Sequence, residues 1–87
     1  MRIDFHRTFK KQYKKAHKLV QNNFADRLRL FERDRLDPTL NNHPLTGDRK
    51  GEWSINVTGD WRAVYEYTSE TSVVFLEIGT HSNLYKK

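Results

Sequence analysis

Apolar side chains recur along this chain with two different periods, and the change between them separates a helical first part from a stranded second part. Ile3 and Phe5 alternate with Arg2 and Asp4, the pattern of a short strand with one buried face. Thr8 then stands where a helix cap is wanted. From Phe9 the large residues return every three or four positions, as Phe9, Tyr13, Ala16 with His17, and Val20, with lysines on the opposite side. The spacing predicts a first helix running to Val20 and a turn at Asn22-Asn23. Phe24, Leu28 and Phe31, continued by Arg35 with Leu36, form a second stripe. That helix is expected to end before Asp37-Pro38, because proline disfavours the helical conformation in the residue before it. Two short connected helices imply an antiparallel hairpin.

Residues 37–51 are dense in turn formers and too irregular for a regular element; a loop this long in a small domain is often functional. Beyond it the period becomes two. Trp53, Ile55 and Val57 alternate with Ser54, Asn56 and Thr58, Gly59-Asp60 makes a turn, Trp61 to Tyr67 resumes as a strand, residues 68–71 turn again, and Val73 to Ile78 is a third run. The expected class is α+β in the order β-α-α-β-β-β, an antiparallel sheet packed against an N-terminal helical hairpin, with residues 1–87 forming a single domain. If Trp53, Ile55 and Val57 face the core, Ser54, Asn56 and Thr58 face the other way. For the next strand, alternation leaves both assignments of Ala63 and Tyr65 against Arg62, Val64 and Glu66 open. The face of the sheet away from the helices is a candidate active-site floor.

Eighty-seven residues bury one modest core, and five Phe, four Tyr and two Trp must fill much of it. With no cysteine, disulfides, thiolate catalysis and thiolate zinc sites are excluded, and a reducing cytoplasm fits. No apolar run approaches the roughly 20 residues a bilayer span needs, and the N-terminus has no signal-peptide core, so no membrane association is expected. Charge divides as the periods do. Residues 1–36 carry eleven Lys/Arg against four Asp/Glu, and residues 37–87 carry five against seven. The basic half is suited to nucleic acid or to an acidic partner, with Lys10, Lys11, Lys14, Lys15 and Lys18 on one helix face; a merely solvated face gives the same pattern.

Three polar stations lie where apolar runs begin or end: His43-Pro44-Leu45, Gly59-Asp60-Trp61-Arg62, and Gly79-Thr80-His81-Ser82-Asn83-Leu84-Tyr85. A sheet is able to bring their two imidazoles, carboxylate, guanidinium and phenol together. Histidine, with an unperturbed pKa of about 6.5, is the side chain best suited to moving protons near neutral pH. Each residue also has a plain structural role to offer: Asp60 as a hairpin residue, Arg62 in a pair with Glu66, Tyr85 as a pin for the tail. A metal trio of His43, Asp60 and His81 has ligands of the right type but no short-range His-x-His spacing. The expected chemistry uses no cofactor.

Taken together, His-Pro-Leu-x-Gly at 43–47, Gly-Asp-Trp-Arg-x-Val-Tyr at 59–65 and Gly-Thr-His-Ser-x-Leu-Tyr at 79–85 resemble the RelE/ParE superfamily of type II toxins, and within it the histidine-bearing YafQ-like branch. The likeness runs through nearly the whole chain. It implies a microbial-RNase-like fold and a ribosome-dependent endoribonuclease that cuts messenger RNA in the A site, in contact with ribosomal RNA. The implied protein partner is a cognate antitoxin, with operator DNA reached only through the antitoxin complex. The branch's catalytic positions fall on His43, Asp60, His81 and Tyr85, and Arg62 matches the arginine that the RelE branch uses at the scissile phosphate. Where the branch has a histidine in the strand before the Asp-Trp hairpin, this chain has Asn56, which cannot take a proton at neutral pH; Asn56 is retained as an RNA-binding residue.

The implied reaction is a metal-free transesterification in which His81 or Asp60 takes the proton of the ribose 2′-hydroxyl and His43 or His81 protonates the leaving 5′-oxygen. Arg62 stabilises charge on the phosphorus, and Tyr85 stacks on a base. Two rival readings are a ParE-like inhibitor of gyrase that cleaves nothing, and a weakened family member that only binds antitoxin or nucleic acid.

Overall fold

The stranded half folds as its alternation dictates, and the opening strand and a short mid-chain strand form the two edges of the sheet. A computed structural model describes residues 1–85. The elements are β1 (Arg2–Phe5), α1 (Arg7–Lys15), α2 (Lys18–Arg33), β2 (His43–Pro44), β3 (Glu52–Thr58), β4 (Trp61–Ser69), β5 (Ser72–Thr80) and α3 (His81–Tyr85). Strand order in the five-stranded sheet is β1-β5-β4-β3-β2. The α+β class stands, with helices packed on one sheet. One pairing departs from an all-antiparallel arrangement: β1 lies parallel to β5, Arg2 opposite Ser72 and Phe5 opposite Phe75. A parallel pair needs a long crossover, and the two helices together with the meander supply it.

Aromatic rings join the two layers. Phe9, Phe24 and Phe31 from the helices and Ile55, Val57, Ala63, Tyr65, Phe75 and Ile78 from the sheet are buried together. Phe31 meets Tyr65 edge-on at 5.0 Å between ring centres, and Phe24 meets Phe75 at 5.4 Å. Each such pair contributes about 0.5–1.5 kcal/mol beyond its area.

The helical half differs from its periodicity in three places. His6, not Thr8, caps α1: its Nδ1 accepts from the Thr8 N–H at 3.1 Å. The break falls at Ala16-His17, both with extended ψ angles, and α2 runs straight through Asn22-Asn23. Breaking there brings Phe24 onto Phe9 and Tyr13, and the break is closed by a reciprocal pair of bonds. The Gln21 side chain donates to Tyr13 O at 2.8 Å, and the Tyr13 phenol donates to Gln21 O at 3.2 Å. Asn23 does not turn the chain because its amide donates inside the helix, to Leu19 O. Finally α2 stops at Arg33, and Leu36 is exposed rather than on a buried stripe.

The segment expected to be irregular contains short elements. Pro38–Leu40 and Gly47–Arg49 form single 3-10 turns, the first capped by the Asp37 carboxylate on Thr39 N–H, and His43–Pro44 pairs with β3 as an edge strand. Proline is tolerated at such an edge because its missing N–H faces no neighbour. No helix among the described residues is long and apolar enough to cross a membrane.

Candidate active site

Register across the sheet decides which candidates meet. Directly paired residues share a face, and His43, Ser54, Val64 and Glu77 are paired in turn across β2, β3, β4 and β5. The next row is Asn56, Arg62 and Gly79. Both rows lie opposite the helical core face, where Ile55, Ala63 and Ile78 form the corresponding row. This settles β4: Ala63 and Tyr65 face the core, and Arg62, Val64 and Glu66 face away.

That second face is not bare. After Thr80 the chain turns over it as α3, with Leu84 Cδ2 and Cγ at 3.2 and 3.3 Å from where a Cβ on Gly79 would stand. A Cβ there would make Leu84 give way by a few tenths of an ångström. Leu84 and Val64 are buried by this packing, although Val64 points away from the main core. Tyr85 reaches the first row and donates its phenolic hydrogen to Ser54 Oγ at 2.9 Å.

Between α3 and the loop 41–49 lies a cleft of about 820 Å³, lined by Asn41, His43, Leu45, Arg49, Arg62, His81, Leu84 and Tyr85 among others. Four residues singled out in the sequence thus share one cavity: His43, Arg62, His81 and Tyr85. His43 Nδ1 lies 2.7 Å from Asn41 O. A carbonyl only accepts, so Nδ1 carries the hydrogen and Nε2 is the nitrogen left to exchange a proton. Asn41 reaches this position in the left-handed region, at φ 45°. Asn42 beside it accepts from the buried Tyr65 phenol at 2.8 Å, which ties the loop to the core. Burial pushes the Tyr65 phenol well above its ordinary pKa. His81 opens α3, and its ring packs edge-on against Tyr85 at 4.6 Å.

Arg62 does not pair with Glu66. Its Nη1 donates to Gly59 O at 2.8 Å and Trp61 O at 2.9 Å, which holds the guanidinium against the hairpin at the mouth of the cleft. Asp60 is exposed on that hairpin and is not among the residues lining the cleft. It reaches the site through its backbone, its carbonyl accepting from the His81 N–H at 2.8 Å. Asn56 sits beside Arg62 in the second row, and its Oδ1 is buried with no partner among the described residues. Lys10, Lys11, Lys14, Lys15 and Lys18 are exposed on the helical layer, and none lines the cleft. No three His, Asp or Glu side chains converge on a metal-sized centre among the described residues.

Two participants were not singled out in the sequence. Ser54 looked like any outward strand residue, and Arg49 was one turn former among many. Arg49 donates to Glu52, Glu77 and Leu84 O. Burial works against its charge, but the hydrogen bond to Glu77 and the charges of Glu52 and Glu77 outweigh this and hold its pKa above the arginine norm. The Glu52 spacing of three was visible beforehand; Glu77 is too distant in sequence for any local pattern to join it to Arg49.

Comparison with known proteins bears on this arrangement. The family model described as the bacterial toxin of type II toxin-antitoxin systems, YafQ, matches residues 1–86. The structure superposes on YafQ from E. coli strain BL21(DE3) with a TM-score of 0.81 and 26% identity, covering 98% of this chain and 99% of that one. It superposes on the E. coli DinJ-YafQ toxin-antitoxin complex with a TM-score of 0.77 and 26% identity, covering 95% and 94%. The YoeB/ParE toxin from Agrobacterium tumefaciens shares the fold, with a TM-score of 0.77 at 20% identity, covering 93% and 99%. A stretch of 25 residues is 52% identical to endoribonuclease HigB of Proteus vulgaris; it spans 29% of this chain and 27% of HigB.

Proposed function

The chain belongs to the YafQ family of toxins from type II toxin-antitoxin systems, and on that footing we propose that it is an endoribonuclease acting as a single domain on messenger RNA in the ribosomal A site. The observation that carries this reading is the shared cleft: two histidines, a guanidinium and an aromatic ring around one cavity on the sheet face away from the helices. HigB, which carries a closely similar stretch, is named as an endoribonuclease, and the activity is extended from there to this chain.

In the proposed reaction one histidine takes the proton of the ribose 2′-hydroxyl. The 2′-oxygen bonds to the adjacent phosphorus, the bond to the 5′-oxygen breaks, and the other histidine gives its proton to that oxygen. The products are a 2′,3′-cyclic phosphate and a free 5′-hydroxyl. His43 and His81 are favoured as the pair because both line the cleft, whereas Asp60 meets it only through its carbonyl. Arg62, with Nε and Nη2 left over from its two carbonyl contacts, stabilises the charge that builds on phosphorus. Tyr85 offers a ring already braced by His81 for a base to stack on. The lysine face lies on the other side of the sheet from the chemistry, so its proposed contacts are with phosphates of ribosomal RNA, weakening steeply as salt rises.

YafQ is seen in complex with the antitoxin DinJ. We extend that relationship to this chain: a cognate antitoxin neutralises it in the cytoplasm, and operator DNA is met only through the pair. Primer extension on a translated messenger tests the reading. Codon-phased stops that require ribosomes and vanish with His81→Ala are expected; inhibition of gyrase supercoiling without stops would replace the nuclease with a ParE-like inhibitor.

A further inference from the structure

Arg49 ends the 3-10 turn between His43 and β3, and its guanidinium spends all three nitrogens on the protein. Nε donates to Glu52 Oε1 at 2.9 Å on β3, Nη2 to Glu77 Oε2 at 2.6 Å on β5, and Nη1 to the backbone carbonyl of Leu84 at 3.1 Å on α3. The planar fork of arginine suits such a three-way junction, where the single ammonium of lysine does not. Each partner needs it. A helix leaves its last carbonyls unpaired, and a five-residue helix has few internal bonds to hold it together, so the Leu84 carbonyl otherwise faces the cleft alone. Glu52 and Glu77 flank the same side chain and, without the cation between them, would place two partly buried carboxylates under the site.

This arginine also lines the cleft, where a positive group invites assignment to the phosphate. Its geometry argues otherwise. Two of its five N–H groups remain, but carboxylates at 2.9 and 2.6 Å more than cancel its charge and would repel a phosphate, whereas Arg62 is held by one nitrogen on two neutral carbonyls and keeps its others available.

We propose that Arg49 is a positioning residue that staples the helix bearing His81 and Tyr85 to the loop bearing His43, and so sets the width of the cleft between the two histidines. It touches no reacting atom. Other contacts of α3, Leu84 against Gly79 and Tyr85 on Ser54, press the helix onto the sheet; Arg49 joins it sideways to the opposite lip. The effect on cleavage rests on the nuclease reading above, but the staple does not.

Backbone relaxation measured by NMR on the intact chain, beside steady-state cleavage, tests this with Arg49→Gln and with Glu77→Ala, which removes one partner should the first variant fail to fold. In both, order parameters for the amides of Ser82 to Leu84 should fall from about 0.85 to below about 0.6, while those of Ile55 and Ala63 hold. The contact between the His81 and Tyr85 rings should be lost as well. A displaced helix should lower kcat about 10- to 100-fold, with KM within about twofold of wild type. Unchanged order in α3 in both variants would overturn the staple, as would a rise in KM at constant kcat, which marks direct RNA binding. A wild-type chain that cleaves no RNA refutes the nuclease, and the relaxation data still decide the staple.

Discussion

Tyr85 donates its phenolic hydrogen to Ser54 Oγ across 2.9 Å, and Ser54 has no exposed surface. The phenol therefore anchors the ring, and its proton is engaged inside the protein. Tyr85→Phe should leave the Ser54 hydroxyl buried with one partner fewer, at a cost of about 1–3 kcal/mol in stability. Because the ring remains, cleavage should fall less than about tenfold, well short of the loss expected for a proton-transfer group. Tyr85→Ala should be far more damaging. Thermal melts and cleavage rates of the two variants check this; abolition of cleavage by Tyr85→Phe would make the phenol itself the acid.

His43 and His81 line one cleft from opposite lips. Neither belongs to the buried core, so His43→Ala and His81→Ala should keep the fold while each lowers single-turnover cleavage by roughly 10²–10⁴. Circular dichroism beside the rates separates chemistry from unfolding. A loss below tenfold for either variant removes that residue from the proton transfers.

Asn56 occupies the row of Arg62 and Gly79 with a buried Oδ1 that has no partner among the described residues. An imidazole at this place adds a proton-carrying group on the face that bears the cleft. Asn56→His should raise single-turnover cleavage by roughly tenfold, as one more positioned acid or base does. A rate at or below wild type would show that the position serves packing or RNA contact alone.

Tyr65 is buried and donates to Asn42, and burial raises its pKa above the ordinary tyrosine value. The sign follows from the neutral phenol being the folded form. Its contribution is fully present below the pKa of the unfolded tyrosine, about 10, and is lost as pH rises through the higher folded value. In alkaline titration, one equivalent of phenolate absorbance should appear only together with unfolding. Tyr65→Phe should abolish that coupling and destabilise the fold by about 1 kcal/mol at neutral pH. Phenolate absorbance from Tyr65 in a chain still folded by circular dichroism would sink the assignment.

The meander was legible in the sequence because alternation and turn residues act locally. Trp53, Ile55 and Val57 forecast the face of β3, and with it the face where Asn56 lies. The helix break was not legible. Ala16 and His17 continue the stripe, and only the contact of Phe24 with Phe9 and Tyr13, together with the Gln21 bonds, moves the break there. Periodicity is equally blind to the pairing of β1, since a lone strand does not state its partner or direction. Of the residues in the three stations, His43, Arg62, His81 and Tyr85 line the cleft, while Asp60, included through the family resemblance, stands on the exposed hairpin. Arg49 escaped because its main partner, Glu77, comes from a strand that only the fold brings near.

The pairing of β1 with β5 also sets how much chain must close before the sheet is complete. The meander closes through short turns, and the contacts that build the cleft span 31 residues from Tyr85 to Ser54 and 35 from Arg49 to Leu84. Arg2 meets Ser72 across almost the full length of the chain. Each doubling of such a loop costs about 0.6 kcal/mol in closure entropy. The opening strand thus closes the entropically costliest loop of the sheet, although none of its residues lines the cleft.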